Sequence, residues 1–182
     1  MTRAAERAEI AAPAAERAPT RTRMIEWRDP LAAAAEGRAL GGIAYLEAIM
    51  AGRVAQPPIA ETLGFRLIEV GEGRAVFACM PAEYHYNPLG TVHGGLAATL
   101  IDSATGCAVQ SVCPPGHGWT TLELNVSFVR AMTKDTGEVR CEGRIVHAGA
   151  RVARAEARLV DRAGRLYAYG ATTCLFFPLD KG

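Results

Sequence analysis

The chain has 182 residues, with 20 basic against 19 acidic side chains and a net charge of +1. That length suits one domain with a sizeable core. The charge balance argues against nucleic acid or an anionic membrane surface as a partner. Cys79, Cys107, Cys113, Cys141 and Cys174 form no C-x-x-C pair, and His85, His93, His117 and His147 lack metal-ligand spacing. Reduced thiols in a cytoplasmic protein without a metal site are the reading. No stretch has the form of a signal peptide or a membrane span.

Residues 1–23 are mostly Ala, Arg, Glu, Pro and Thr. Such a segment buries too little apolar surface to offset its ordering entropy, so it reads as a disordered tail. A helical segment follows over 24–58. Asp29-Pro30 is a helix start, with a short helix over 32–36 broken near Gly37. A second helix starts near Gly41, with Ile43, Leu46, Met50 and Val54 on one stripe and Pro57-Pro58 as its end.

From residue 59 onward the period becomes that of strands. Residues 63–70 and 74–80 flank Gly71-Glu72-Gly73 as a hairpin. Residues 96–112 carry no charge except Asp102, and read as a helix belonging in the middle of the protein. A lone carboxylate there is costly unless hydrogen-bonded, which makes Asp102 the place to look for chemistry. Four strands follow. Over 120–129, Leu122, Leu124, Val126 and Phe128 alternate with Thr121, Glu123, Asn125 and Ser127. The others span 137–147, 151–161 and 165–177. These four predict an antiparallel meander that the early hairpin must join to avoid wasted edges. Small Ala153, Ala155 and Ala157 suit close approach of a helix. The fold class is α+β: a six-stranded antiparallel sheet wrapped around a central helix, the hotdog arrangement, over 59–182.

The run Asn87-Pro88-Leu89-Gly90-Thr91-Val92-His93-Gly94-Gly95, with Asp102 nine residues after His93, resembles the hotdog-fold acyl-CoA thioesterases of the phenylacetate-degradation type. The resemblance covers roughly residues 40–177, with Asn125 to Arg130 and Val146 to Arg151 contributing. It implies hydrolysis of an aryl or medium-chain acyl-CoA, with no metal or redox cofactor. It casts Asp102 as base or nucleophile and the Gly94 N–H as the donor to the thioester carbonyl. Asn87 would orient water or the carboxylate, or open a turn. His93 would fix the loop, and Thr121 would place a hydroxyl near the acid. Gly95 and Gly149 join the substrate-binding set, and Arg130 and Arg151 are the candidates for the CoA phosphates. A dehydratase or hydratase on the same fold, or an acyl-CoA-binding regulator without catalysis, are the alternatives.

Gly94 and Asp102 lie eight residues apart on one helix, about 12 Å along its axis. One carbonyl cannot reach both. A two-fold dimer with antiparallel central helices brings Gly94 of one subunit towards Asp102 of the other, in two equivalent sites. The resemblance adds a tetramer, a dimer of such dimers.

Overall fold

The computed structural model describes residues 19–179. The expected tail lies outside the described residues as far as residue 18. Within residues 19–23, read as part of that tail, two exposed arginines reach the body, Arg21 pairing with Glu83 at 2.7 Å. Arg23 donates to the carbonyls of Thr62 and Glu61 at 2.7 and 3.0 Å and stacks over the Tyr84 ring at 4.1 Å.

Helix α1 spans Pro30–Leu40 and α2 spans Gly42–Met50. The Asp29 side chain caps α1 by accepting from the Leu31 N–H at 2.8 Å. Gly37 does not break α1. It is a buried residue within it, pressed so closely on the Tyr45 ring that a Cβ would lie 2.6 Å from ring carbons. The expected α2 stripe is partly wrong. Leu46, Ala48 and Ile49 are buried, while Met50 is exposed and Val54 is buried beyond the helix. A left-handed turn at Gly52 ends α2, and Pro57-Pro58 opens a further short helix, α3, Pro58–Leu63. Pro suits the first turn of a helix because its missing N–H would be unpaired there anyway.

The strands are β1 Phe65–Gly71, β2 Arg74–Cys79, β3 His117–Phe128, β4 Val139–Ala148, β5 Val152–Asp161 and β6 Leu166–Pro178. They form one antiparallel sheet in the order β1-β2-β4-β5-β6-β3. The early hairpin joins it as expected. The four-strand meander does not hold: only β4-β5-β6 are sequential neighbours, and β3 crosses over to pair with β6. Residues 129–138 separate β3 from β4, long enough to cross the end of the sheet rather than turn. The remaining long helix, α4, spans Gly94–Ser111 and lies across the concave face. This is the hotdog fold.

Close approach sets that packing. Leu100, Ile101, Ala104, Ala108 and Val109 of α4 are fully buried, and so are Ala153 and Ala155 of β5. At Gly143 of β4 the two backbones nearly meet, and a Cβ there would fall 2.2 Å from the Ala104 carbonyl oxygen. The α4 C-terminus is tied to the early hairpin, where the Ser111 hydroxyl accepts from the Gly73 N–H at 2.8 Å. The outer face of the sheet is charged, with Arg74 bridging Glu69 and Glu142 at 2.8 and 3.1 Å. Helix α4 is not apolar all round. The stripe with Gly95, Thr99, Asp102, Ser103 and Gln110 keeps some solvent contact, with Asp102 and Gln110 turned to the β3 edge of the sheet.

The Gly143 contact is testable. Gly143→Ala must push helix and sheet apart, and overpacking of this kind costs about 3 kcal/mol. Chemical denaturation should show that loss, while Gly71→Ala, at a position where a Cβ meets nothing, should stay near wild type.

Candidate active site

The stretch from Asn87 to Gly95 is built to deliver the chain into α4. Asn87 Oδ1 accepts from the N–H groups of Leu89 and Thr91 at 2.9 and 3.2 Å, and its Nδ2 donates to Thr91 Oγ1 at 3.1 Å. The backbone of the same turn closes from Asn87 N–H to Thr91 carbonyl at 2.8 Å. Asn87 therefore holds its own loop, which is what an Asn-Pro turn opener does. His93 is the N-cap of α4, its Nδ1 accepting from the Gly95 N–H at 2.8 Å. That leaves the Gly94 N–H without a hydrogen-bond partner among the described residues. It stands at the positive end of the helix, where free N–H groups and the peptide dipoles favour a negative oxygen. Beside it lies a cleft of about 300 Å³ lined by Gly94, Phe128, Arg130, Met132 and Tyr167. Its wall is the 129–138 crossover. Arg130 is exposed there, its guanidinium 6.0 Å from the centre of the Tyr167 ring.

Two turns along the helix stands Asp102. It is half-buried rather than enclosed, and Oδ1 accepts from the Thr121 hydroxyl at 3.1 Å. Ser103 is not its partner; the neighbouring strand is. Thr121 reaches the carboxylate through a bulge in β3. Thr121 pairs with Cys174 and Glu123 with Thr173, so Leu122 is an extra residue. The bulge also corrects the expected alternation. Leu124 and Val126 pack on the core, but Leu122 is 59% exposed on the outer edge of the sheet. Phe128 is 61% exposed, at the rim of the Gly94 cleft.

The structure thus sorts the predicted residues into two groups. Asn87, His93, Gly94, Gly95 and Arg130 gather at the N-terminal end of α4. Asp102 and Thr121 gather at its middle. Gly149 and Arg151 belong to the second side, since Thr121 pairs with Cys174 and Cys174 with Ala153, two residues beyond Arg151. Arg151 is exposed in the β4-β5 turn, which Gly149 closes by donating to the Val152 carbonyl at 2.9 Å. Nothing among the described residues of one chain brings the two groups together.

Sequence reading missed Tyr167 and Trp119. Tyr167 backs the Gly94 cleft, and its hydroxyl donates to buried Asp161 at 3.1 Å. The Trp119 ring covers Gly106, where a Cβ would lie 2.4 Å from it, and its Nε1 donates to Gln110 Oε1 at 2.6 Å. Gly106 is four residues after Asp102, on the same ridge of the helix, and that spacing was the available signal. Tyr45 faces a separate cleft, while Tyr84 carries Arg23 at the surface.

The sequence pattern of the thioesterase superfamily matches residues 89–168. A Halobacterium salinarum protein with an esterase name is 41% identical over 76 residues, which are 41% of this chain and 48% of that one. Mouse acyl-coenzyme A thioesterase 13 is 33% identical over 92 residues, 50% of this chain and 64% of that one. The chain thus spans about half to two thirds of the length of these two curated relatives. Among solved structures, a phenylacetic acid degradation-related protein of Ralstonia eutropha JMP134 superposes with a TM-score of 0.65 at 28% identity, over 72% of this chain and 98% of that one. A solved protein from the thioesterase superfamily is 32% identical with a TM-score of 0.60, over 71% of this chain and 95% of its own.

The capping role of His93 can be measured. His93→Ala should lose about 1 kcal/mol of stability, whereas His93→Asn should keep most of it, because Asn is a good N-cap. Equal loss in both variants would mean that the imidazole does something other than cap.

Proposed function

The chain belongs to the thioesterase superfamily, a family of thioester hydrolases, and we propose that it cleaves an acyl-CoA to free acid and CoA. One observation carries this reading: a carboxylate held by a strand hydroxyl shares a helix with an N–H at that helix's start that has no partner among the described residues. Thioester hydrolysis needs those two things, a base or nucleophile and a donor for the developing oxyanion. The Gly94 N–H polarises the carbonyl. Asp102 takes the proton of the attacking water or attacks the carbonyl itself, with Thr121 fixing its orientation. The acyl group is aryl or medium-chain, and Arg130 and Arg151 meet the CoA phosphates.

The two groups work across a two-fold dimer. Their separation of about 12 Å along α4 requires it. Two features support it. Strand β3 is an edge of the sheet, twelve residues long, and it presents exposed Leu122. A long edge with apolar side chains is a template for pairing with a second copy. Next to it, the stripe of α4 bearing Thr99, Asp102 and Ser103 stays partly open to solvent. Pairing β3 with β3 sets the two α4 helices side by side and antiparallel, with Gly94 of one subunit near Asp102 of the other. In that dimer Asn87, on the Gly94 side, also approaches the other subunit's acid. Joining two such dimers into a tetramer is what the family resemblance suggests and not something this geometry requires.

Asp102→Asn should fold normally and lose most hydrolysis, since an amide takes no proton; Asp102→Glu should retain some. A panel of acyl-CoAs with free-thiol detection reads this, and wild-type rates in Asp102→Asn would refute the assignment. The same assay separates hydrolysis from mere acyl-CoA binding.

Shared sites have their own signature. Asp102→Asn and Gly94→Pro subunits are each inactive, but a mixed dimer regains one intact site. After random exchange about a quarter of wild-type activity should return. If mass measurement confirms exchange and folded mixtures stay inactive, the cross-subunit site is wrong.

A further inference from the structure

One buried titratable side chain stands beside the Gly94 loop and takes no part in the chemistry above. His85 closes the short turn Glu83–His85 and is 6% exposed. Both of its ring nitrogens are engaged. Nδ1 accepts from the Ala82 N–H at 3.0 Å, and Nε2 lies 2.8 Å from the Leu63 carbonyl oxygen. A backbone N–H only donates and a carbonyl only accepts, so these partners admit one form of the ring: neutral, with its proton on Nε2. A second proton, on Nδ1, would face the Ala82 N–H donor against donor, and that bond would be lost.

The surroundings favour that neutral form. Burial pushes the His85 imidazole below its ordinary value; the Leu63 carbonyl opposes this, and the charge of Arg23 adds to the lowering. Arg23 comes from the N-terminal segment and sits over the Tyr84 ring, whose centre is 4.2 Å from that of His85. In the same turn Glu83 is paired with Arg21. From β2, the Cys79 thiol points at the same Leu63 carbonyl, and burial pushes it up to about 11, so it is uncharged. Arg66 of β1 is paired with Glu138 at 3.1 Å, and Lys134 of the crossover with Asp135 at 2.8 Å. The His85 backbone then reaches the mouth of α4. Its carbonyl accepts from the His93 N–H at 2.7 Å, and His93 Nδ1 caps the helix at Gly95. Gly94 is the residue between. A bridge from Tyr86 to Val92 continues the same pairing, and the Val92 N–H donates to the Met132 carbonyl at 2.9 Å. The Gly94 N–H is thus held from two sides, by the crossover and by His85.

Resting on the hydrolysis reading above, we propose that His85 is the positioning residue of the oxyanion donor: its neutral ring locks the Ala82 and Leu63 backbones together, and its carbonyl holds His93 and so aims the Gly94 N–H. It touches no reacting atom. A donor of this kind has to stay within about 0.5 Å of its working place, which a loop secures only through supporting contacts. Protonation of the ring releases the Ala82 contact and slackens the turn that holds His93. Two parts of the site then fail in acid, for opposite reasons: the carboxylate must be charged and this ring must not be. Stability follows the same sign. The folded chain holds off a proton that the unfolded chain takes up at about pH 6.5, so stability falls as the pH drops from there through the lowered folded value.

The test follows the His85 ring nitrogens and the Gly94 amide of the full chain by NMR through an acid titration. At pH 8 the ring should carry its proton on Nε2, and on acidification the Gly94 amide should shift with the midpoint of the His85 ring. A ring with its proton on Nδ1 overturns the proposal. So does a Gly94 amide that follows the His93 ring instead, or that follows neither. Two variants carry the test to the rate. His85→Asn keeps an acceptor for the Ala82 N–H and cannot titrate; His85→Ala keeps no acceptor. With the acyl-CoA panel at pH 8, folded His85→Ala should lose kcat about tenfold with KM little changed, because an oxyanion contact belongs to the transition state. His85→Asn should recover most of that loss, and its kcat should fall less steeply in acid than that of wild type. Wild-type kcat in His85→Ala, or an unaltered acid fall in His85→Asn, overturns the assignment. If neither variant folds, the titration of wild type decides alone. The two readings fail separately. Coupling of ring and amide without turnover of any acyl-CoA keeps the latch and sinks hydrolysis; turnover without coupling sinks the latch and leaves hydrolysis standing.

Discussion

The contact on which everything else rests is the one between the α4 backbone and the sheet at Gly143. Helix and strand come within the reach of a single methyl group there. Small residues on β5 extend the same close approach, with Ala153 and Ala155 fully buried beneath the helix. A helix seated this deeply has its register fixed. Its start, its middle and its end then fall at set places along the sheet. The Gly94 N–H meets the crossover, Asp102 meets Thr121, and Ser111 meets the early hairpin. Interiors are packed densely enough that such a position cannot drift without disturbing its neighbours.

Much of this was legible in the sequence because it rests on local chemistry. Alternation in β4 and β5 follows from a sheet with one face on a helix and one in water. The start of α1 follows from Asp29-Pro30. The role of His93 at the mouth of α4 follows from its position before two glycines. What was not legible depends on partners far along the chain. Nothing local in 120–129 says that β3 pairs with β6 rather than with β4; the length of the 129–138 crossover was the one hint. The burial of Gly37 inside α1 depends on the Tyr45 ring pressed against it, which cannot be read from Gly37 alone. Met50 and Val54 were misassigned because the turn at Gly52 ended the helix before its stripe was complete.

The candidate site shows the same division. Types and spacings pointed to Asp102 and Gly94, because thioester chemistry needs a carboxylate and a free N–H; the family resemblance pointed to Thr121, whose hydroxyl lies 3.1 Å from Asp102. Their separation along one helix was also plain, since it follows from helical rise alone. Trp119 and Tyr167 escaped notice because an aromatic residue beside a site carries no signature apart from its tertiary place. The structure supplies that place: Trp119 stands against Gly106 on the ridge of the acid, and Tyr167 stands behind the Gly94 cleft.

The bulge at Leu122 has a consequence for how this strand can change over time. It works as a phase shift between two messages written on one strand. Before it, Thr121 turns to the acid and Trp119 to Gly106 and the apolar cluster beside it; after it, Leu124 and Val126 turn inward to the central core. A single-residue gain or loss upstream of Leu122 would rotate the first pair outward and leave the second pair seated. The bulge therefore lets the half beside the carboxylate and the half beside the central core keep independent facings on one strand.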